Sequence, residues 1–401
     1  MAGSLDKRGE NSWRLVYFKG RDAEGKRIRY TKNFKGNKSQ AEKELARFVT
    51  EIENGIFTDS KNLTLAGFSK QWIESHVDSL APKTQRDYKR MLNALILPKL
   101  GNLKLSDIRP GHLMKFYKYL EQDGIRQDGK PGKLSDRSIR YYHAVISSML
   151  EDAMKWQLIG SNPAARVEAP KVRRKQSISY DETQSAELLQ ALYSEPIKYR
   201  VLTTLALYTG LRRGELLGLE WKVIDMENAQ IAVVKQSQYT PETGVVDRTT
   251  KTEGSQRLIS IPVSIVNLLK EYKAAQNEER LKVGSLWEPS DKLFTTWNGK
   301  PMHPDTVSSW FNDFLARHNV KMALEGKAPL PHIRFHDLRH TSASLLIAQG
   351  VPLKNVSSRL GHSSIAITAD IYASALQSAD KEAAQKLEDL LNIKHEQNNQ
   401  L

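Results

Sequence analysis

From Leu63 to about Ala165, apolar residues recur at three- and four-residue steps, the spacing of helices that each bury one face. Breaks at Ala81-Pro82, Pro98 to Asn102, Arg109-Pro110-Gly111 and Asp123 to Lys133 divide this stretch into four or five helices. The residues before it follow another pattern. SWRLVYFKG and RIRYTKNF, on either side of the turn-like DAEGK, are short runs rich in aromatic and β-branched residues and predict strands. A helix is predicted from Ser39, with Glu42 completing a capping box, Ala41, Leu45, Phe48, Val49 and Ile52 on one apolar face, and Gly55 near its end. Pro163, Pro170 and the run Lys171-Val-Arg-Arg-Lys175 interrupt any regular pattern and predict an exposed linker. Beyond it, helices are predicted around 181–195 and 197–208, strands around Ala229–Gln236 and Arg257–Pro262, and helices again from about 304 to 393.

The fold class this pattern predicts is mainly α with small β-sheets (α+β). The expected divisions are a small sheet-plus-helix domain over 1–61, a helical domain over 62–165, a basic linker over 166–176, and a mixed α/β domain with a C-terminal tail over 177–401. At 401 residues and 39% hydrophobic, the chain is long enough for each domain to bury its own core. No internal repeat or low-complexity tract is seen.

Charge sharpens the picture. The formal net charge is +14, and residues 1–40 hold eleven Lys and Arg against four acids, half of that excess. Such a balance favours a polyanionic partner, because cations that neutralise phosphates release condensed counterions. Candidate phosphate contacts are Arg14, Lys19, Arg27 and Arg29 in the front module, Lys83, Arg86 and Lys89 in the helical region, and Arg173 and Arg174 in the linker. In the helical region basic and aromatic residues interleave, although charge runs usually only face water. Cysteine is absent, which removes disulfides, thiolate metal sites and a cysteine nucleophile together. The opening MAGSLDKRGENSW lacks the apolar run of a signal peptide, and no stretch has the apolar length of a membrane helix, so a cytosolic location is expected.

Three segments carry candidate chemistry. In TGLRRGELLGLEW, Gly210 permits a tight turn, Arg212 enters a helix, and Glu215 three residues on can hold the guanidinium in one pose. Alone, this is an ordinary ion pair. HDLRHTSASLL brings His336, Arg339 and His340 onto adjoining faces of a helix. His336 and His340 share the spacing of half a zinc site, but a zinc peptidase would have Glu second in that motif, where Asp337 stands. In LGHSSIAITADIY, a glycine-containing loop with His362 opens into a helix carrying Tyr372. Guanidinium groups can bind the equatorial oxygens of a phosphoryl transition state, imidazoles handle protons, and a phenol can be the nucleophile.

These three segments, in this order, resemble the signature boxes of tyrosine recombinases of the phage and conjugative-transposon integrase kind. The similarity covers about 177–393. TQRDYKRMLNALILPKLGNLKLSDI resembles the family's helical, SAM-like core-binding domain, and the basic front module resembles an arm-type DNA-binding domain. Carried over residue by residue, Arg212, His336, Arg339 and His362 match the phosphate-activating set and Tyr372 the nucleophile. TTKTEGSQRLISIP resembles the hairpin that carries the family's lysine, which makes Lys251 the match and Lys235, on the preceding strand, the substitute.

The resemblance implies DNA strand cleavage and rejoining through a 3'-phosphotyrosine, integrating and excising a mobile element or prophage without ATP, metal or other cofactor. Its implied partners are double-stranded DNA with core and arm attachment sites, three further copies in a tetramer on synapsed DNA, and an accessory excision factor or host DNA-bending protein. No membrane is involved, and the implied location is the nucleoid-associated cytoplasm of a bacterial host. The apolar stripe Ala384, Leu387 and Leu391 in the tail is expected to pack on a neighbouring subunit. Two readings from other classes stand beside it. A type IB topoisomerase would act on single duplexes, and a non-catalytic DNA-binding regulator would use the basic module alone.

Overall fold

The computed structural model describes residues 3–21, 25–53, 63–172, 178–249, 256–362 and 364–371, with 387, 388 and 391. The chain forms two compact units, Met1–Arg174 and Lys175–Leu401. Among the described residues no helix is long and apolar enough to cross a membrane.

The first unit opens with an antiparallel sheet of β1 (Ser4–Gly9), β2 (Ser12–Arg21) and β3 (Arg27–Lys35), in that order, followed by α1 (Lys38–Glu53). Leu15 and Tyr17 of β2 pack with Phe48 and Ile52 of α1. The helix starts one residue earlier than predicted, and its cap differs. Asn37 Oδ1 accepts from the Gln40 amide at 2.9 Å while Gln40 Oε1 accepts from the Asn37 amide at 3.1 Å, so the reciprocal box uses Asn37 and Gln40 in place of Ser39 and Glu42.

The unit's second core gathers α2 (Leu65–Ser75), α3 (Pro82–Met91), α4 (Leu97–Leu100), α5 (Pro110–Leu120) and α6 (Asp136–Lys155) around Phe68, Trp72, Ile96, Phe116 and Ile146. Pro98 does not break the helix as expected. A π-turn over Leu92–Ile96 joins α3 to α4, and the Leu97 amide reaches back to the Leu92 carbonyl, which absorbs the proline before the chain turns at Gly101. Trp72 donates through Nε1 to Asp152 at 2.7 Å, and His76 approaches the same carboxylate oxygen at 3.2 Å, clasping α2 to α6.

The second unit is built on α8 (Ile197–Thr209), whose residues from Val201 to Leu207 are all buried, as in a helix surrounded by protein. Before it lies α7 (Glu182–Ala191), and after it α9 (Arg213–Gly218). β4 (Ile224–Asp225), β5 (Gln230–Val233) and β8 (Arg257–Ser260) form an antiparallel sheet in that order, while β6 (Lys235–Thr240) and β7 (Gly244–Thr249) form a separate ribbon. The strand predicted over Ala229–Gln236 is therefore two strands in two sheets. α10 (Val263–Val283) was absent from the sequence expectation, because Val263 and Leu281 on its exposed side blur the stripe formed by Ile265, Val266, Leu269 and Tyr272. The long helical run expected from 304 resolves into α11 (Pro304–Leu324), α12 (Asp337–Ala348), α13 (Leu353–Leu360) and α14 (Ile365–Ile371).

Candidate active site

Gly210 closes α8 in a left-handed conformation, with φ +62°, where a Cβ would meet Leu360 at 2.4 Å. That turn delivers Arg212 to the start of α9, with Glu215 in its first turn. Glu215 is buried and holds Arg212 twice. Oε1 accepts from Arg212 Nη1 at 2.7 Å, and Oε2 accepts from the Arg212 amide at 3.0 Å. Burial pushes the Glu215 carboxyl upward, but the hydrogen bond and charge of Arg257, joined by Arg212, more than reverse this and keep it ionised. The other arm of the Arg212 guanidinium, Nη2, donates to the Gly361 carbonyl at 3.0 Å.

Asp337 sets the start of α12. It accepts from the Arg334 amide at 2.8 Å and from Arg334 Nε and Nη2 at 3.0 and 2.7 Å, a fork that fixes the turn carrying His336. Three residues on, Arg339 is 3% exposed and donates through Nη1 to the Gly210 carbonyl at 2.8 Å, tying α12 to the turn before Arg212. The His336 and His340 rings stand edge to face with centroids 5.7 Å apart. His336 reaches solvent, yet the surrounding protein strips enough water from it, with the charges of His340 and Arg339 adding, to hold its pKa down at about 4. His340 is lowered too, mainly by burial.

Gly361 ends α13 with φ +69°, and His362 follows it, its Nδ1 2.8 Å from Thr368 Oγ1 on α14. Burial, then the charges of Arg339 and Arg212, lower the pKa of His362 to about 4. Three segments, the first more than a hundred residues before the other two, thus converge. Arg212, His336, Arg339 and His362 form a cationic recess with two neutral imidazoles, suited to a phosphate whose transition state gathers negative charge. Lys251 and Tyr372 lie outside the described residues, as does the tail stripe apart from Leu387 and Leu391, both exposed.

The ribbon β6–β7 stands beside this recess on its own polar base. Ser237 donates to the Leu217 carbonyl at 3.0 Å and to Asp247 at 2.6 Å, and Lys292, 6% exposed, donates to Asp247 at 2.5 Å and to the Gly218 carbonyl at 3.2 Å. Lys235, the substitute lysine, donates to Glu220 at 3.0 Å. Sequence reasoning missed Lys292 and also Arg257, which shares the inward face of β8 with Ile259. The signal was present, since alternation that buries Ile259 and Ile261 also turns Arg257 inward.

In the first unit the candidate phosphate contacts separate. Arg14 lies opposite Asn33 and Arg29 opposite Phe18, and Arg27, Arg29 and Lys35 alternate on the exposed face of β3, away from α1. Lys19 sits on the other side, where it donates to the Ile52 and Glu53 carbonyls at 3.0 Å each. On α3, Lys89 is bound to Asp78 at 2.8 Å, while Lys83 and Arg86 make no ion pair among the described residues. Arg173 and Arg174 lie outside the described residues.

Residues 179–378 match the model of the phage integrase family, and residues 64–121 match that of the phage integrase N-terminal SAM-like domain. A "tyrosine recombinase XerC-like" protein of Caldanaerobacter subterraneus is 31% identical over 96% of this chain and 97% of its own length. The chain belongs to the tyrosine recombinase family. The recombinase is 26% identical to the ICEBs1 integrase of Bacillus subtilis, over 92% of this chain and 94% of that one. Its fold is shared with the Tn1549 transposon integrase, solved in complex with transposon right end DNA, at a TM-score of 0.65 and 20% identity over 80% of this chain and all of that one. It is shared also with a lambda integrase tetramer bound to a Holliday junction, at 0.54 and 19% over 92% and 94%. The recombinase is accordingly a tyrosine-type, site-specific recombinase.

Proposed function

We propose that the recombinase integrates and excises its element through a covalent link from Tyr372 to DNA. The Tyr372 phenol oxygen attacks the scissile phosphorus, the bond to the 5'-oxygen breaks, and a 3'-phosphotyrosine and a free 5'-hydroxyl result. The 5'-hydroxyl of the partner strand then attacks that phosphorus and releases the phenol. One phosphoester replaces another at each step, so no nucleotide hydrolysis is required. The observation that carries this reading is the joining of the three motif segments by Arg212 to Gly361 and Arg339 to Gly210, around two imidazoles held near pKa 4.

Arg212 and Arg339 would carry the charge of the phosphorane. A neutral His336 can take the phenolic proton, and a neutral His362 can donate a hydrogen bond to a phosphate oxygen. Lys251 is the proposed acid for the leaving 5'-oxygen. Residues 1–61 would hold arm-type sites, with Arg14, Arg27 and Arg29 on the phosphates. Residues 62–165 and the linker over 166–176 would grip the core site through Lys83, Arg86, Lys89, Arg173 and Arg174, and four copies would synapse two duplexes through the tail of the 177–401 domain. An excision factor or host DNA-bending protein would set direction in the bacterial cytoplasm.

Tyr372→Phe removes one oxygen and keeps the ring. With a nicked suicide duplex from the end of the encoding element, the parent is expected to form a denaturant-resistant adduct and the variant none, at equal DNA affinity. An adduct from the variant would exclude Tyr372 as nucleophile, and cleavage without exchange between two duplexes would favour a topoisomerase.

A further inference from the structure

Glu215 serves two guanidiniums, and the second is not among the residues to which the motifs assign chemistry. Arg257, whose side chain is 8% exposed, donates through Nη2 to Glu215 Oε2 at 2.9 Å and through Nε to the Arg359 carbonyl at 2.7 Å. Arg359 lies in the last turn of α13, two residues before Gly361. Gly361 leaves the space this side chain uses, since a Cβ there would come within 2.7 Å of Arg257 Nη1. One residue of β8 therefore touches both the carboxylate that orients Arg212 and the turn that presents His362.

We propose that Arg257 is a positioning residue for the cleavage step, holding Arg212 and the His362 turn in one rigid frame. The inference rests on the reading of the recess as a phosphate-activating site. The physical case is one of charge as well as geometry. A lone Arg212–Glu215 pair is neutral and offers little field to an incoming phosphate. With Arg257 on the second oxygen, the trio carries one net positive charge, and the Nη2 arm of Arg212 stays directed at the Gly361 turn. Burial makes the arrangement unforgiving, because a carboxylate 3% exposed at its side chain loses water it cannot recover and must keep its donors. The two contacts are also independent, since Nη2 serves α9 through Glu215 and Nε serves α13, so a single ammonium cannot replace both.

The test uses the full-length recombinase and the nicked suicide duplex, with DNA affinity, melting temperature and single-turnover adduct formation measured for Arg257→Gln and Arg257→Lys. DNA affinity should stay within about two-fold for both variants, while the adduct rate in saturating DNA falls by about a hundred-fold for Gln, the cost of a misplacement on the order of an ångström. Lys, which restores the charge but only one of the two contacts, should recover about ten-fold of that loss. Combining Glu215→Gln with Arg257→Gln should cost little more than either change alone. An unchanged adduct rate for Gln overturns the proposal. So does a rate that falls only in proportion to the folded, DNA-bound fraction, which marks a purely structural residue. Should Gln fail to fold, Lys decides alone, and a parental rate for it overturns the proposal. Absence of adduct from the parent removes the functional reading itself, and this inference with it.

Discussion

Arg212 donates to the carbonyl of Gly361 at 3.0 Å across 149 residues of sequence, so the first and third motif segments are joined through a backbone atom whose position depends on a left-handed turn. An alanine at 361 would keep that carbonyl but strain the turn by about 1–2 kcal/mol and press on Arg257. Gly361→Ala is therefore expected to lower the melting temperature and to slow single-turnover cleavage more than DNA binding. Parental melting together with parental cleavage would show that the turn tolerates a side chain.

His336 and His362 hold protons less tightly in the folded chain, with pKa values of about 4, than free imidazole does near 6.5. Unfolding at a pH between these values takes up protons, so the contribution of these groups to stability is complete above about 6.5 and declines as pH falls toward 4. Denaturant unfolding should show this slope between neutral pH and about 5, and replacing both histidines by Gln should flatten it. An equally steep slope in the double variant would place the titration elsewhere.

The separation of Arg29 from Lys19 predicts two different losses in the front module. Arg29 lies on the open sheet face, 4.0 Å from Asp6 and 6.0 Å from the centroid of the Phe18 ring, both weak exposed contacts, whereas Lys19 fastens β2 to the end of α1. Arg29→Ala should weaken arm-DNA binding and reduce the salt slope by about one, at unchanged stability. Lys19→Ala should lower the stability of the module and leave the slope alone. Salt titrations and thermal melts of both variants check this, and identical slopes for parent and Arg29→Ala would remove Arg29 from the phosphate contacts.

Two motif segments are readable because a glycine that must turn precedes their polar residues, Gly210 before Arg212 and Glu215 and Gly361 before His362, and the other because His336, Arg339 and His340 fall at helical spacing around Asp337. Periodicity likewise located the helical region and α1. It failed where tertiary partners override local pattern. Nothing local in Pro98 announces the π-turn that carries the helix past it. The division of Ala229–Gln236 at Val234 is invisible in a run suited to strand throughout, because what separates β5 from β6 is that they pair with different partners, β8 and β7. Arg257 and Lys292 were passed over because a lone basic residue gives no hint that its partner lies 42 or 45 positions away.

The independence of the β6–β7 ribbon has a consequence for amide exchange. β5 and β8 belong to the sheet that lines the main core, so their amides should be released to solvent only when that whole body comes apart. The ribbon shares no backbone ladder with that sheet, and among the described contacts side chains fasten it at Ser237, Lys235 and Asp247, the Tyr239 ring stands against His303, and β6 runs close over Gly214 and Gly218 of α9. Its strands can therefore part and re-form as a small unit while the core beneath stays intact. The second unit thus has a segment whose opening costs only these local contacts and leaves the rest of the domain folded.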